Sequence, residues 1–156
     1  KNTDDTAADS AEAEEADEEN ADDEEVLEAE VDVEDDLRSE IVTYALQFVG
    51  NRYKYGGTNP NTGVDCSGFT SYVMRHAAEV ELPHSSGGQS RMGRQVSSSE
   101  MRPGDIICYG SGKRINHVAL YIGNGQIVHA STERTGIKVS RWNYRTPVRI
   151  VNVLGD

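Results

Sequence analysis

The chain has 156 residues and a formal net charge of −12, and this charge is distributed unevenly along the sequence. Residues 1–36 contain 19 acidic side chains and one cation, Lys1, whereas residues 37–156 carry 14 cations and 8 anions. No apolar run approaches the roughly 20 residues that a transmembrane helix needs, so we expect no membrane span. Two cysteines in this length exclude a disulfide-rich scaffold and a CxxC-type zinc site.

The acidic segment, residues 1–36, is predicted not to fold by itself. It contains none of the ten aromatic residues and few large aliphatic side chains, so it cannot bury enough apolar area to offset the entropy cost of ordering. We interpret it as a linker or tether. Two alternatives stay open: an anionic cover over the cationic remainder, or a helix that forms on docking. Residues 37–156, about 120 in number, suit one compact domain.

Two helices are predicted in the first half of the domain. Apolar residues recur at helical spacing from Leu37 to Phe48, and Gly50 stands where a helix ends. Residues 51–64 are rich in Gly, Asn and Pro, which is typical of an irregular loop. Helical spacing returns from Ser67 for about three turns and stops before Pro83.

Short β-strands are predicted in the second half, after Pro103-Gly104. Helices followed by a meander of strands indicate an α+β fold with an antiparallel sheet. The five predicted strands are Ile106 to Tyr109, Val118 to Ile122, Gln126 to Ala130, Ile137 to Ser140 and Val148 to Leu154.

Cys66 lies between the loop and the second predicted helix, in the sequence Asp-Cys-Ser-Gly. Unpaired backbone N–H groups at a helix N-terminus stabilise a thiolate, which predicts a nucleophile. The alternative is a buried structural cysteine. Cys108 alternates within an apolar strand and is predicted to be a core residue. A disulfide between the two cysteines stays open.

Two of the four histidines flank a predicted hairpin turn. With a three-residue loop at residues 123–125, Ile122 pairs with Gln126, and His117 is the diagonal neighbour of His129 on one face. A two-residue loop would place these histidines on opposite faces. The Gly-Asn-Gly sequence favours the three-residue form.

The other two histidines carry weaker signals. His76 lies on the apolar stripe of the second helix, which indicates packing, and His84 in a loop is ambiguous.

Cys66 together with the neighbouring pair His117 and His129 predicts a nucleophile, a base and an orienting residue. A His-Cys metal site is the rival interpretation, and it lacks the CxxC or HxxxH pair that usually supports it.

The segment from about Leu37 to Leu154 resembles the NlpC/P60 family of bacterial cell-wall cysteine peptidases. Five stretches carry the resemblance in the right order: Tyr53-Lys54-Tyr55-Gly56-Gly57, Asp65-Cys66-Ser67-Gly68-Phe69, Leu82-Pro83 through Gln89, Pro103-Gly104-Asp105-Ile106, and His117 to Gly123 followed by Val128-His129-Ala130.

This resemblance implies a papain-like α+β fold with helices packed on a central antiparallel sheet. It implies that Cys66 is the nucleophile, His117 the base and His129 the residue that orients His117. The substrate-binding residues that it implies are Tyr53, Asp65 and Ser67. It implies neither a metal nor a cofactor.

The reaction implied by the resemblance is hydrolysis of the γ-D-glutamyl to diamino acid bond in peptidoglycan stem peptides. The expected protein is a secreted or wall-associated bacterial monomer with no nucleic-acid partner. Tyr55 and His84 stand where the family often has Trp and Arg, which bears on substrate preference. The alternatives are a CHAP-type amidase and a wall-binding module without activity.

Overall fold

The structure, a computed structural model, describes residues 33–156, with side chains from Asp36 onward. The predictions for the acidic segment thus fall almost entirely on residues outside the described part. The helices are α1 (Val33–Leu46), α2 (Cys66–Ala78) and α3 (Ser86–Gln89). The strands are β1 (Thr58–Asn59), β2 (Gly63–Val64), β3 (Arg94–Gln95), β4 (Ile106–Ser111), β5 (Arg114–Gly123), β6 (Gln126–Thr132), β7 (Gly136–Arg141) and β8 (Pro147–Asn152).

A six-stranded antiparallel sheet forms the centre of the fold, in the order β3-β8-β4-β5-β6-β7. All five predicted strands are present, and β1, β2 and β3 are short additions of two residues each that the sequence analysis did not predict. The predicted helices are also confirmed, although α1 begins at Val33 rather than Leu37. Among the described residues, no helix is long and apolar enough to cross a membrane.

The two faces of the sheet bury different clusters. Leu120 and Val128 pack with Phe69 of α2 and Ile41 of α1, so the helices cover this face. The opposite face holds a second cluster, which is covered by segments of the chain around Val96 and Trp142. The strand residues of this cluster are Ile107, Tyr109, Ala119, Tyr121, Ile127 and Ile150. Strand alternation places side chains of opposite parity on the two faces.

A buried arginine fixes α1 to the sheet. The Arg38 guanidinium, on a residue that is 2% exposed, donates to Asp105 at 3.1 Å and to Asp156 at 2.6 Å. It also donates to the carbonyl of Pro103 at 2.7 Å. Burial of a charge is tolerated when the charge is paired and hydrogen-bonded, as it is here. Through these contacts Arg38 joins α1 to the segment before β4 and to the end of the chain.

The hairpin between β5 and β6 differs from the prediction only at its tip. Gly123 pairs with Gln126, and Asn124 and Gly125 have φ of 57° and 75°, as a two-residue type I′ turn requires. A register shift between Tyr121 and Gly123 then restores the predicted register further down the strands. The pairing of Ile122 with Gln126 was therefore wrong, while the predicted shared face of the histidines is correct.

Candidate active site

Cys66 is the first residue of α2, and the residue before it caps the helix. The Asp65 carboxylate accepts a hydrogen bond from the Gly68 N–H at 2.8 Å, which is the usual N-cap contact. A Cβ at Gly68 would lie 2.2 Å from the carbonyl oxygen of Gly57. Only glycine therefore lets the loop at residues 53–57 lie against the start of the helix, beside the thiol.

The Cys66 thiol is half-buried, and its surroundings favour the protonated form. Burial raises its pKa most, and the Asp65 charge adds to this effect. Backbone N–H groups of Val118, Ser67 and Cys66 itself act in the opposite direction without reversing the shift. The stabilisation of the thiolate expected from the helix start is present, and burial outweighs it. A nearby base has to remove the proton.

His117 and His129 form a buried pair. The Nε2 of His117 and the Nδ1 of His129 are 2.8 Å apart, and the Nε2 of His129 lies 3.0 Å from the Ser140 hydroxyl. The two histidines are 8% and 1% exposed. The prediction that the imidazoles stand together is thus confirmed. Because Nε2 of His117 is occupied, Nδ1 is the nitrogen that remains for the thiol.

The end of the β5–β6 ladder lets the thiol reach the backbone of β5, next to His117 in the chain. The paired positions of these strands run from Gly123 with Gln126 to Leu120 with Val128, and both histidines lie beyond the last pair. Beyond that pair, the backbone N–H of Val118 hydrogen-bonds the Cys66 sulfur. Cys66 therefore contacts β5 at the residue that follows His117.

Both histidines are held in the neutral form. Burial lowers the pKa of His117 to about 3, and the charge of Arg145 contributes. The pKa of His129 is also well below its ordinary value, through burial and then through His117, Lys138 and Arg145. A neutral imidazole has a nitrogen lone pair that can accept a proton, and the lowered pKa means that the surroundings disfavour the imidazolium that then forms.

Tyr53 lies close to the thiol. Burial raises the pKa of its phenol, and the neighbouring ionisable groups of Cys66 and Asp65 raise it further. The phenol therefore stays protonated and can donate a hydrogen bond beside Cys66. Ser67 is 5% exposed, and its carbonyl accepts from the Gln89 side chain at 2.9 Å. Both predicted residues thus border the cysteine, Tyr53 as a donor and Ser67 through its backbone.

The third predicted substrate-binding residue, Asp65, is already engaged within the protein. Besides the Gly68 N–H, its carboxylate accepts from the Gly56 N–H at 3.0 Å and lies 2.8 Å from Nε2 of His84. Asp65 therefore joins the loop at residues 53–57, the start of α2 and the segment after Pro83. His84, ambiguous from sequence, is a partner of this carboxylate.

The remaining cysteine and histidine follow their predictions. Cys108 is fully buried, and burial raises its pKa to about 12. Both cysteines are free thiols, so the disulfide left open by the sequence is not formed. The ring of His76 stacks on Tyr72 with centroids 4.0 Å apart, which confirms a packing role.

Several residues around the site were not predicted. Ser140 and Lys138 come from β7, where Lys138 pairs with His129, and the buried Lys138 ammonium donates to the Ser140 hydroxyl at 3.0 Å. Gln89 is fully buried and also donates to the carbonyl of Pro83 at 2.9 Å. The pairing of β6 with β7, had it been known, would have placed Ser140 near His129. Gln89 was named in the sequence analysis only as the last residue of a matching stretch, with no role assigned to it.

Comparison with known proteins identifies the family. Residues 50–150 match the profile of the NlpC/P60 family. The chain belongs to this family. It is 41% identical over 108 residues to the Escherichia coli K12 protein named murein DD-endopeptidase MepS/murein LD-carboxypeptidase, which covers 69% of this chain and 56% of that protein. It is 42% identical over 98 residues to the protein named probable endopeptidase p60 of Listeria seeligeri, or 63% of this chain and 18% of that one.

Solved structures of NlpC/P60 domains share the fold. The NlpC/p60 domain of the peptidoglycan hydrolase SagA aligns with a TM-score of 0.68 and 32% identity, covering 74% of this chain and 97% of that one. An NlpC/P60 protein from Bacillus cereus aligns with a TM-score of 0.70 and 27% identity, covering 75% and 40%. The expected papain-like α+β architecture is thereby confirmed. This chain spans about half the length of the E. coli relative.

Proposed function

We propose that this NlpC/P60 chain is a peptidoglycan hydrolase that cleaves stem peptides as a cysteine endopeptidase. One observation carries the proposal: the Cys66 thiol meets β5 beside His117, whose Nε2 is held by His129 at 2.8 Å. A thiol, a neutral base and an orienting imidazole are the groups that thiol-dependent acyl transfer requires.

In the proposed mechanism, Nδ1 of His117 accepts the proton of the Cys66 thiol as sulfur attacks the scissile carbonyl carbon. His129 accepts a hydrogen bond from Nε2–H of the His117 imidazolium that forms. N–H groups at the start of α2 and the protonated Tyr53 phenol stabilise the negative charge that develops on the carbonyl oxygen. His117 then gives its proton to the leaving amine, and an acyl-enzyme remains on Cys66.

Hydrolysis of the acyl-enzyme completes the cycle. His117 takes a proton from water, the resulting hydroxide adds to the thioester carbonyl, and the thiolate leaves and recovers its proton from His117. No metal or other cofactor takes part. Because the pKa of the resting thiol is raised, we place its deprotonation at the attack step rather than before it.

The proposed bond is the one between γ-D-glutamate and the diamino acid. A second candidate comes from the E. coli relative, which is named a DD-endopeptidase and LD-carboxypeptidase; the D-amino acid cross-link would be the corresponding bond here. Tyr53, Asp65 and Ser67 are proposed to border the bound peptide. A peptidoglycan substrate also implies a secreted or wall-associated location, and we propose that the protein acts there as a monomer.

Digestion of purified muropeptides tests this proposal. Products are identified by mass spectrometry for the natural protein, for Cys66→Ala and for Cys108→Ala as the matched cysteine control. New γ-D-glutamyl termini that vanish only in Cys66→Ala support the primary bond, and resolved cross-links support the second. Release of stem peptide from sugar would indicate a CHAP-type amidase, and an intact substrate would indicate a binding module.

A further inference from the structure

Arg145 is held in a fixed position by two contacts. Its guanidinium carbon lies 5.7 Å from the centroid of the Tyr109 ring, and its Nη2 donates to the Asn116 side chain at 3.0 Å. Tyr109 is fully buried, and its hydroxyl donates to the carbonyl of Trp142 at 2.6 Å. A half-buried guanidinium therefore rests on a rigid aromatic platform, and its orientation is set before any ligand arrives.

Both contacts place Arg145 beside the base. Asn116 directly precedes His117 in β5, and Tyr109 is the strand partner of His117. The rings of Tyr109 and His117 have centroids 5.9 Å apart. Arg145 is close enough to both His117 and His129 for its charge to act on them.

The charge of Arg145 has no carboxylate partner within ion-pair distance among residues 36–156. The ion pairs of this part of the chain involve Arg38, Arg75, Arg102 and His84. An isolated cation beside the base disfavours the imidazolium that must form during catalysis. A bound anion would remove this penalty and would pair with the free side of the guanidinium.

The proposed substrate supplies such an anion. When D-glutamate is linked through its γ-carboxyl group, its α-carboxylate stays free. Three carbons separate this carboxylate from the scissile carbonyl, a distance on the order of 5 Å when extended. The proposed base His117 has to reach the scissile bond, and Arg145 lies beside His117. We therefore infer that a carboxylate this close to the carbonyl can approach the guanidinium.

We propose that Arg145 is a specificity-determining residue that binds the α-carboxylate of the γ-D-glutamyl residue. This inference rests on the proposed function. The planar guanidinium can donate two parallel hydrogen bonds to the two oxygens of a carboxylate. An α-carboxamide offers only one oxygen acceptor, so one of these hydrogen bonds is lost. The protein therefore discriminates stem peptides with D-glutamate from those with the α-amide, D-isoglutamine.

A matched pair of peptides tests this specificity. The two carry L-alanine, γ-linked D-glutamate and the diamino acid, and differ only in having an α-carboxylate or an α-carboxamide. We expect the natural protein to favour the acid in kcat/KM by about tenfold to a hundredfold, the range of a charged hydrogen bond. Arg145→Gln should bring the ratio close to one, and Arg145→Lys should give an intermediate value.

Arg149→Gln is the control, because it removes the same charge from an exposed position on β8. It should keep the natural acid-to-amide ratio. A ratio near one in the natural protein overturns the inference. The inference is also overturned if Arg145→Gln keeps the acid-to-amide ratio of the natural protein, or if it loses the same fraction of activity on both peptides.

A binding measurement separates this inference from the proposed function. The dipeptide L-alanyl-γ-D-glutamate and its α-amide are titrated into Cys66→Ala protein, with and without Arg145→Gln, by calorimetry. We expect tighter binding of the acid only where Arg145 is present. Equal affinity for acid and amide overturns the inference, whatever the outcome with peptides. Preference for the acid together with no cleavage by the natural protein overturns the proposed function alone.

Discussion

Cys66 has the helix N-terminal position of a reactive thiol together with surroundings that keep it protonated. The N–H donors of Ser67 and Cys66 at its sulfur were foreseeable from the sequence, since they follow from the helix start, whereas the Val118 donor comes from β5. The burial that outweighs them was not foreseeable, because it depends on β5 and on the loop at residues 53–57 packing around the sulfur. Local sequence placed Cys66 correctly at the start of a helix, and it missed the burial that raises the pKa of the thiol.

Alkylation kinetics test the protonation of Cys66. The rate of iodoacetamide modification should be low at pH 7 and should keep rising as the pH passes 9, because the thiolate is the reacting form and its pKa is raised. Cys108, buried with a pKa of about 12, should stay unmodified in the folded protein. A rate that is high and constant between pH 6 and 8 would instead show a thiolate-imidazolium pair in the resting protein.

Substitution of the two histidines separates their roles. His117→Ala should lower kcat by about 10²- to 10⁴-fold, since it removes the group that we propose transfers the proton. His129→Ala should retain more activity, because water can replace part of an orienting contact. Ser140→Ala, one step further from the thiol, should retain more still. Equal losses in folded His117→Ala and His129→Ala proteins would contradict this order.

The elements of the fold follow from sequence patterns to different degrees. The register of β5 and β6 beyond the turn agrees with the prediction because a bulge between Tyr121 and Gly123 offsets the two-residue turn at Asn124 and Gly125. Neither the two-residue turn nor the bulge was predicted from the sequence. Ser140 escaped prediction because its register depends on the turn at residues 133–135, which has no Asn-Gly sequence. Arg145 lies in an irregular segment between β7 and β8, where no periodicity indicates which way a side chain points.

The anchor of α1 is testable as a stability element. Arg38→Met leaves the Asp105 carboxylate, which is 1% exposed, without its cation. We expect the free energy of unfolding to fall by about 3–5 kcal/mol, as for other broken buried pairs. Arg75→Met is the matched control, because Arg75 pairs with Glu81 on the surface, and it should cost about 0–1 kcal/mol. Urea denaturation of both variants measures the difference.

At the scale of the whole molecule, the buried histidine pair makes stability depend on pH. Both pKa values are lowered in the folded protein, so the unfolded chain binds more protons below its ordinary histidine pKa of about 6.5. Stability should therefore be greatest above pH 6.5 and fall towards pH 3. The lowered pKa of Asp156 acts only below the ordinary range of carboxylates, so measurements above pH 4.5 isolate the histidines.

The slope of this dependence identifies its source. Each buried histidine contributes up to about 1.4 kcal/mol per pH unit, measured as unfolding free energy in urea between pH 4.5 and 7.5. His117→Gln should reduce the slope, because it removes one of the two buried groups whose pKa is lowered in the folded protein. An unaltered slope in His117→Gln would show that the pair is not neutral in the folded protein.

The fold of the whole domain was predictable from five short motifs, whereas the bond that we propose it cleaves is not set by these motifs alone. Cleavage of a defined muropeptide mixture by the natural protein and by Cys66→Ala tests the central claim most directly. The account predicts new γ-D-glutamyl termini that depend on Cys66 and persist in Cys108→Ala. Equal product from the natural protein and Cys66→Ala would contradict it.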